Sequence, residues 1–242
     1  MYRYLLPVAA LLLTSCVSPY SISQLKPQAE ETTWLWGREY VQQTAEGITV
    51  KVAYENNDKN YALFNVSIEN NSEKTILADP ALFSCKLKGR LLTAKQTQKQ
   101  PARDPETVFL NLEKQRSRQY AEEANATIRQ TTEVLTETAS SIASRKQGET
   151  PEAREQRLYE REEANYRREQ EEIKLEVDRL SLNQQKFYFE QELLRKTTLP
   201  SQSFIYGKVF FPRHENAETY ELILPIGGQS FTFRFSQVLH RP

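Results

Sequence analysis

Two parts of the chain alternate hydrophobic with polar residues, and a long stretch between them repeats its hydrophobic residues at helical spacing instead. In GITVKVAYE, Ile48, Val50, Val52 and Tyr54 fall on one face of an extended chain; in YALFNVSIE, Ala62, Phe64, Val66 and Ile68 do the same. Alternation of period two predicts half-buried strands. NNDKN and NNSEK, which follow them, predict turns, because asparagine tolerates positive φ and bonds its own backbone. Toward the C-terminus SFIYGKVFF, TYELILP and QSFTFRF read as three more strands, the last placing Phe231, Phe233 and Phe235 opposite Thr232 and Arg234. Gly227-Gly228 between the last two predicts a tight hairpin turn rather than a phosphate loop, since no helix follows it.

From Asp104 to about Lys196 the pattern changes. Asp104-Pro105-Glu106 supplies an N-cap, a proline at the first helical position and an acid in the first turn; Thr150-Pro151-Glu152 repeats that order after Gly148. Two helices of about forty residues are predicted, each roughly 60 Å long at 1.5 Å per residue. In the second, Tyr159, Tyr166, Ile173, Leu180, Phe187 and Leu194 recur every seven residues, the mark of a coiled-coil seam. In the first, Ala121, Ala124, Ile128, Thr131, Leu135, Thr138 and Ile142 follow the three-four spacing, with small side chains to suit the other helix's aromatics. The two helices are expected to meet along these stripes as an antiparallel coiled-coil hairpin. A second stripe, Leu175, Leu182 and Phe189, predicts further burial against the strands. Neither strand block can bury a face alone, so the two are expected to rejoin across the hairpin.

Charge alters this picture little. Lys plus Arg and Asp plus Glu number 32 each, so no net field draws the chain to nucleic acid, and nucleic acid is not expected as a partner. The first residues alter it more. Arg3 precedes an apolar run, Leu5 to Leu13, too short to cross a membrane as a helix but suited to a secretory signal. It ends Leu13-Thr14-Ser15-Cys16, which resembles the lipobox of bacterial lipoproteins. The resemblance implies removal of residues 1–15 as a signal peptide and lipid attachment at Cys16. At about 0.8 kcal/mol per buried methylene, several acyl chains hold a protein on a bilayer essentially permanently. Val17 is not the aspartate that this class associates with inner-membrane retention, so the outer membrane is the expected location. Residues 16–33, polar and carrying Pro19 and Pro27, are expected to form a tether.

Without the leader, Cys85 has no disulfide partner. In ALFSCKL it shares one side of a strand with Ala81, Phe83 and Leu87, and it is read as a small core residue. Neither His214 nor His240 has a second His or Cys at ligand spacing, so no metal is expected; nor is a cofactor. No nucleophile elbow, phosphate loop or H-E-x-x-H occurs. The acidic pairs Glu122-Glu123, Glu162-Glu163 and Glu171-Glu172 fall on a helical rod where nothing would exclude water. A protein without catalytic activity is therefore expected. Arg157, Arg161 and Arg168 are candidate partner contacts on a solvated helix face. Trp34 and Trp36 are read first as core or edge packing, and second as part of an aromatic binding groove.

FNVSIENNSEKTILADPALF, a strand, a polar turn and an entry to the next strand, together with YGKVFFPRHENAETYELILP, resembles the immunoglobulin-like domains of exported bacterial lipoproteins. The resemblance covers roughly residues 34–95 and 200–240 and implies a recognition or assembly module, without catalysis. The expected fold is α+β: an immunoglobulin-like antiparallel β-sandwich, residues 34–103 and 198–242, interrupted by a helical hairpin over 104–197. Two functions follow from it. One is a lipid-anchored interaction or assembly module that docks an envelope protein, or copies of itself, through the projecting hairpin. The other is a binding module that holds a peptide, glycan or lipid at the aromatic-rich strands.

Overall fold

The computed structural model describes residues 22–58, 60–146 and 148–240; the leader and Cys16 lie outside these residues. The fold is α+β, with antiparallel sheets and two long helices. Before the helices run β1 (Ile22–Pro27), β2 (Thr33–Leu35), β3 (Arg38–Ala45), β4 (Ile48–Asp58), β5 (Tyr61–Asn70), β6 (Ile76–Ala78), β7 (Ser84–Lys88) and β8 (Gln100–Pro101). Then come α1 (Pro105–Lys146) and α2 (Pro151–Glu192), followed by β9 (Thr197–Leu199), β10 (Ser203–Pro212), β11 (Thr219–Ile226) and β12 (Gln229–His240). The described residues divide into two compact units: the strands up to Ala102 with those from Lys196 onward, and the helices within Arg103–Arg195.

In the strand unit one sheet has the order β1-β12-β11-β7-β8 and the other β10-β5-β4-β3-β2, while β6 pairs with β9. Each sheet mixes strands from before and after the helices, so neither block completes a sheet by itself. The alternation seen in the sequence sets the faces. Val50, Val52, Phe64, Val66 and Ile68 from one sheet, and Leu222, Leu224, Phe231, Phe233 and Phe235 from the other, are buried. Each such side chain contributes about 1.5–3 kcal/mol by leaving water. The Phe64 ring joins the two sheets, lying 4.9 Å from Phe235 across the core and 5.6 Å from Phe211 within its own sheet, both edge-on.

Polar side chains close the gaps that the strands leave. Gln43 donates to the Thr232 carbonyl at 2.6 Å and accepts from its N–H at 3.1 Å, occupying backbone groups that a neighbouring strand would otherwise pair. Asn70 is fully buried: its amide nitrogen reaches the carbonyls of Lys74, Leu199 and Pro200 at 2.8–3.0 Å, and its oxygen accepts from the Ser72 N–H and hydroxyl. It therefore ties the NNSEK turn to the chain that returns after α2. Gly227 and Gly228 make the β11–β12 turn at φ +59° and +81°, where a side chain on Gly227 would stand 2.6 Å from Ile48.

Three expectations are corrected here. Residues 22–27 do not belong to a free tether: β1 pairs with β12 from Ile22↔His240 to Pro27↔Phe235, burying Leu25. Proline did not prevent this, because Pro27 ends an edge strand. Ala81 does not share the core side of Cys85; Asp79 accepts from the Ala81 N–H at 3.1 Å and caps a 3-10 turn, Pro80–Leu82, which leaves Ala81 exposed. Trp34 and Trp36 do not pack in a core. Trp34, 64% exposed, lies in the edge strand β2 opposite Glu39, and Trp36, 86% exposed, lies in the β2–β3 turn, where it takes φ +49°.

The helix unit begins as its caps predict. Asp104 accepts from the Glu106 N–H at 3.0 Å and the Thr107 hydroxyl at 2.7 Å; Thr150 accepts from the Ala153 N–H at 3.3 Å. Between the helices Gly148 takes φ +77°, the left-handed conformation that ends helices.

Candidate docking faces of the helix pair

The line along which α1 and α2 meet is mixed, with polar and charged contacts interspersed among small and apolar side chains. Gln119, 7% exposed, donates to the Leu175 carbonyl at 3.1 Å. Arg168 reaches Glu137 at 3.0 Å and Glu133 at 3.6 Å; Lys186 reaches Glu113 at 2.7 Å; Arg129 pairs with Glu171. Near the turn Arg157 binds both carboxylate oxygens of Glu149, at 2.8 and 2.6 Å, and donates to the Ser141 hydroxyl at 2.7 Å. The bond to Glu149 holds the Arg157 proton more firmly than usual, and Arg157 keeps the Glu149 carboxyl below its ordinary range. Ala126 is buried on this line, while Leu175, Leu182 and Phe189 are half-buried on the corresponding line of α2.

The apolar heptads point the other way. Tyr159 is 68% exposed, Tyr166 62%, Ile173 50%, Leu180 50% and Phe187 66%; of the predicted series only Leu194, beyond the end of α2, is buried. On α1, Ile128, Leu135 and Ile142 are likewise exposed, as are Ala121, Ala124, Thr131 and Thr138. The expectation that these stripes close on each other within the hairpin is therefore overturned. Geometry gives the reason. At about 100° per residue, Ile173 stands about 200° from both Glu171 and Leu175, and Ile128 about 200° from both Ala126 and Gln130. When the inner lines meet, each apolar stripe must turn outward, and the two occupy opposite edges of the pair.

The candidate arginines separate accordingly. Arg157 and Arg168 are engaged between the helices, with 24% and 15% of their side-chain surface exposed, and are not open partner contacts. Arg161 is exposed. Trp34 and Trp36 belong to the strand unit and form a separate exposed aromatic feature. Hydropathy showed the Leu175, Leu182 and Phe189 stripe of the inner line but missed Gln119, Gln130 and Glu137, which join the helices through polar groups. Opposite charges at matching heights, Glu113 with Lys186 and Glu133 or Glu137 with Arg168, were the available signal.

Cys85 is fully buried and its thiol is pushed up to about 12 by desolvation, as befits a packing residue. His214 contacts Gln96 and accepts from the Asn216 N–H at 3.2 Å; His240 lies 3.2 Å from Gln24. Among the described residues no cluster of three or more His, Cys, Asp or Glu is placed to hold a metal, and no helix is long and apolar enough to cross a membrane. Compared with protein-family models, curated proteins and solved structures, the chain matches none.

Proposed function

We propose that this protein is a lipid-anchored envelope component, held at the outer membrane through Cys16, that acts as a non-catalytic docking or assembly module. Its strand unit is read as an immunoglobulin-like β-sandwich. Its helix unit is read as an antiparallel coiled coil with a mixed inner line fastened by ion pairs and two apolar outer faces, and those faces carry the binding. The observation that supports this reading is the exposure of two heptad series at once. Water-exposed Tyr, Ile, Leu and Phe at a strict seven-residue spacing suit a partner helix and serve no purpose in a solvated rod.

The test compares three forms of the detergent-extracted full chain. Leu135→Glu with Ile173→Glu keeps acylation and membrane association but loses its co-purifying envelope proteins. Cys16→Ser loses acyl labelling and leaves the membrane fraction. An unchanged partner set in the double variant refutes the docking faces. Exposure of Trp34 and Trp36 favours the second reading, a peptide, glycan or lipid site at the strands, and loss of partners only on replacing those tryptophans would select it.

A further inference from the structure

Resting on the assembly reading above, we propose that the occupant of the outer faces is a second copy of this chain. Each copy sets its α1 outer face against the α2 outer face of its neighbour, building a ring of side-by-side hairpins.

Size favours unlike faces. The α2 face offers only large side chains at its heptad positions, Tyr159, Tyr166, Ile173, Leu180 and Phe187. The α1 face places Ala124, Thr131 and Thr138 between Ile128, Leu135 and Ile142. Two α2 faces would set rings against rings, and two α1 faces would leave gaps; α1 against α2 fills both. The α1 face is also ready for burial. Thr131 already donates its hydroxyl to the Thr127 carbonyl at 2.8 Å, and Thr138 to the Val134 carbonyl at 2.7 Å, so a partner would cover methyl groups and leave no donor unmet. The line from Ala121 to Ile142 carries no charge.

Register points to a copy rather than to an unrelated helix. Arg168 bridges Glu133 and Glu137, and Gln130 reaches Glu171 across the pair; the contacts Gln130–Glu171 and Glu133–Arg168 agree on one height relation between the two antiparallel helices. Two residues onward along α1 and two back along α2 bring Leu135 level with Tyr166; steps of seven then set Ile142 with Tyr159, Ile128 with Ile173 and Ala121 with Leu180. Within one hairpin these residues lie on opposite edges, so their common height does nothing for its own packing. Between copies related by a rotation about an axis along the helices, the same heights hold, and four of the five large α2 residues, Tyr159, Tyr166, Ile173 and Leu180, arrive at α1 heptad positions, while Phe187 falls level with Lys114 beyond the end of the α1 stripe. Of the phases a heptad allows, only one does this. Faces opposed across the hairpin cannot both be met by one neighbour, so the ring requires three or more copies.

Disulfide trapping in the full chain tests this, in a Cys16→Ser background where the one remaining thiol is the buried Cys85. Ile128→Cys and Ile173→Cys are too far apart within a hairpin to join each other, since a disulfide needs Cα atoms within about 7 Å. Oxidised alone, each single variant should stay uncross-linked; mixed, they should give a dimer; combined in one chain, they should give a ladder of multimers. Leu175→Cys, on the α1 side of α2, should not join Ile128→Cys. Cross-linking of Ile173→Cys with itself as strongly as with Ile128→Cys would replace the ring with like-to-like pairing and overturn the proposal. So would a parent chain that sediments as a monomer at the cross-linking concentration with no cross-link formed. In that event the double variant Leu135→Glu, Ile173→Glu separates the two readings: loss of envelope partners keeps the docking faces with a different occupant, and retention removes both.

Discussion

Asn70 is where the two strand blocks are clipped together, and its removal should show how far the strand unit depends on that join. Asn70→Ala deletes one amide that serves the carbonyls of Lys74, Leu199 and Pro200 and accepts from Ser72. The site is closed to water, since Asn70 is 0% exposed. Each bond is worth about 0.5–1.5 kcal/mol net, and a buried group left unmet costs about 1–3 kcal/mol. Because the bonds share one amide they do not add fully, and a loss of about 3–5 kcal/mol is expected. With a urea dependence of about 2 kcal/mol per molar, the unfolding midpoint of the strand unit falls by roughly 1.5–2.5 M. Near-ultraviolet circular dichroism of the aromatic core reads the strand unit, and the 222 nm signal reads the helices. Asn70→Asp should be worse at neutral pH, because three carbonyls would face a carboxylate. Its folded pKa is then raised above its unfolded value, so stability recovers at low pH and is lost as pH rises through the folded value. A midpoint within about 0.3 M of the parent for Asn70→Ala would show that the clip does not hold the join.

Other perturbations follow from the same contacts. The Cys85 thiol, buried and raised to about 12, should not react with a thiol reagent at pH 8 until urea unfolds the strand unit. Burial would raise the Glu55 carboxyl, but Lys208 at 2.9 Å, Asn65 at 2.9 Å and Arg38 at 3.3 Å hold it below 4.5. Its contribution is therefore present above 4.5 and lost as pH falls through the folded value; Glu55→Gln should cost about 1–3 kcal/mol at pH 7 and converge with the parent in an acid titration of stability. Arg157→Glu or Arg168→Glu should lower the thermal midpoint of the 222 nm signal, whereas Arg161→Glu should not, since only the first two fasten the helices.

The strand faces were legible because period two has two outcomes, in or out, and Phe231, Phe233 and Phe235 or Ala62, Phe64, Val66 and Ile68 leave no doubt which is in. The helix ends were legible because Pro105 and Pro151 follow capping residues whose chemistry is local. The helix faces were not. A seven-residue period belongs to every face of a helix alike, so Tyr159 to Phe187 identified an apolar stripe without saying that α1 did not cover it. The inner line was legible only in part: Leu175, Leu182 and Phe189 stood out as a stripe, but Gln119, Glu137 and Arg168 score as solvent-exposed until matched with a partner. Ile22–Pro27 was hidden for a similar reason, since an edge strand that buries mainly Leu25 has almost no alternation to display.

The most direct measurement places a photo-activated cross-linking side chain at Tyr166 or at Leu175 in the full-length protein expressed in cells. These positions lie on opposite sides of α2, Tyr166 exposed and Leu175 toward α1. If the heptad stripes are docking faces, the probe at position 166 joins the chain to a separate polypeptide, and the probe at 175 reacts only within its own chain. Cross-links between polypeptides from 175 but not from 166 would contradict the account and return the apolar heptads to the interior of the hairpin.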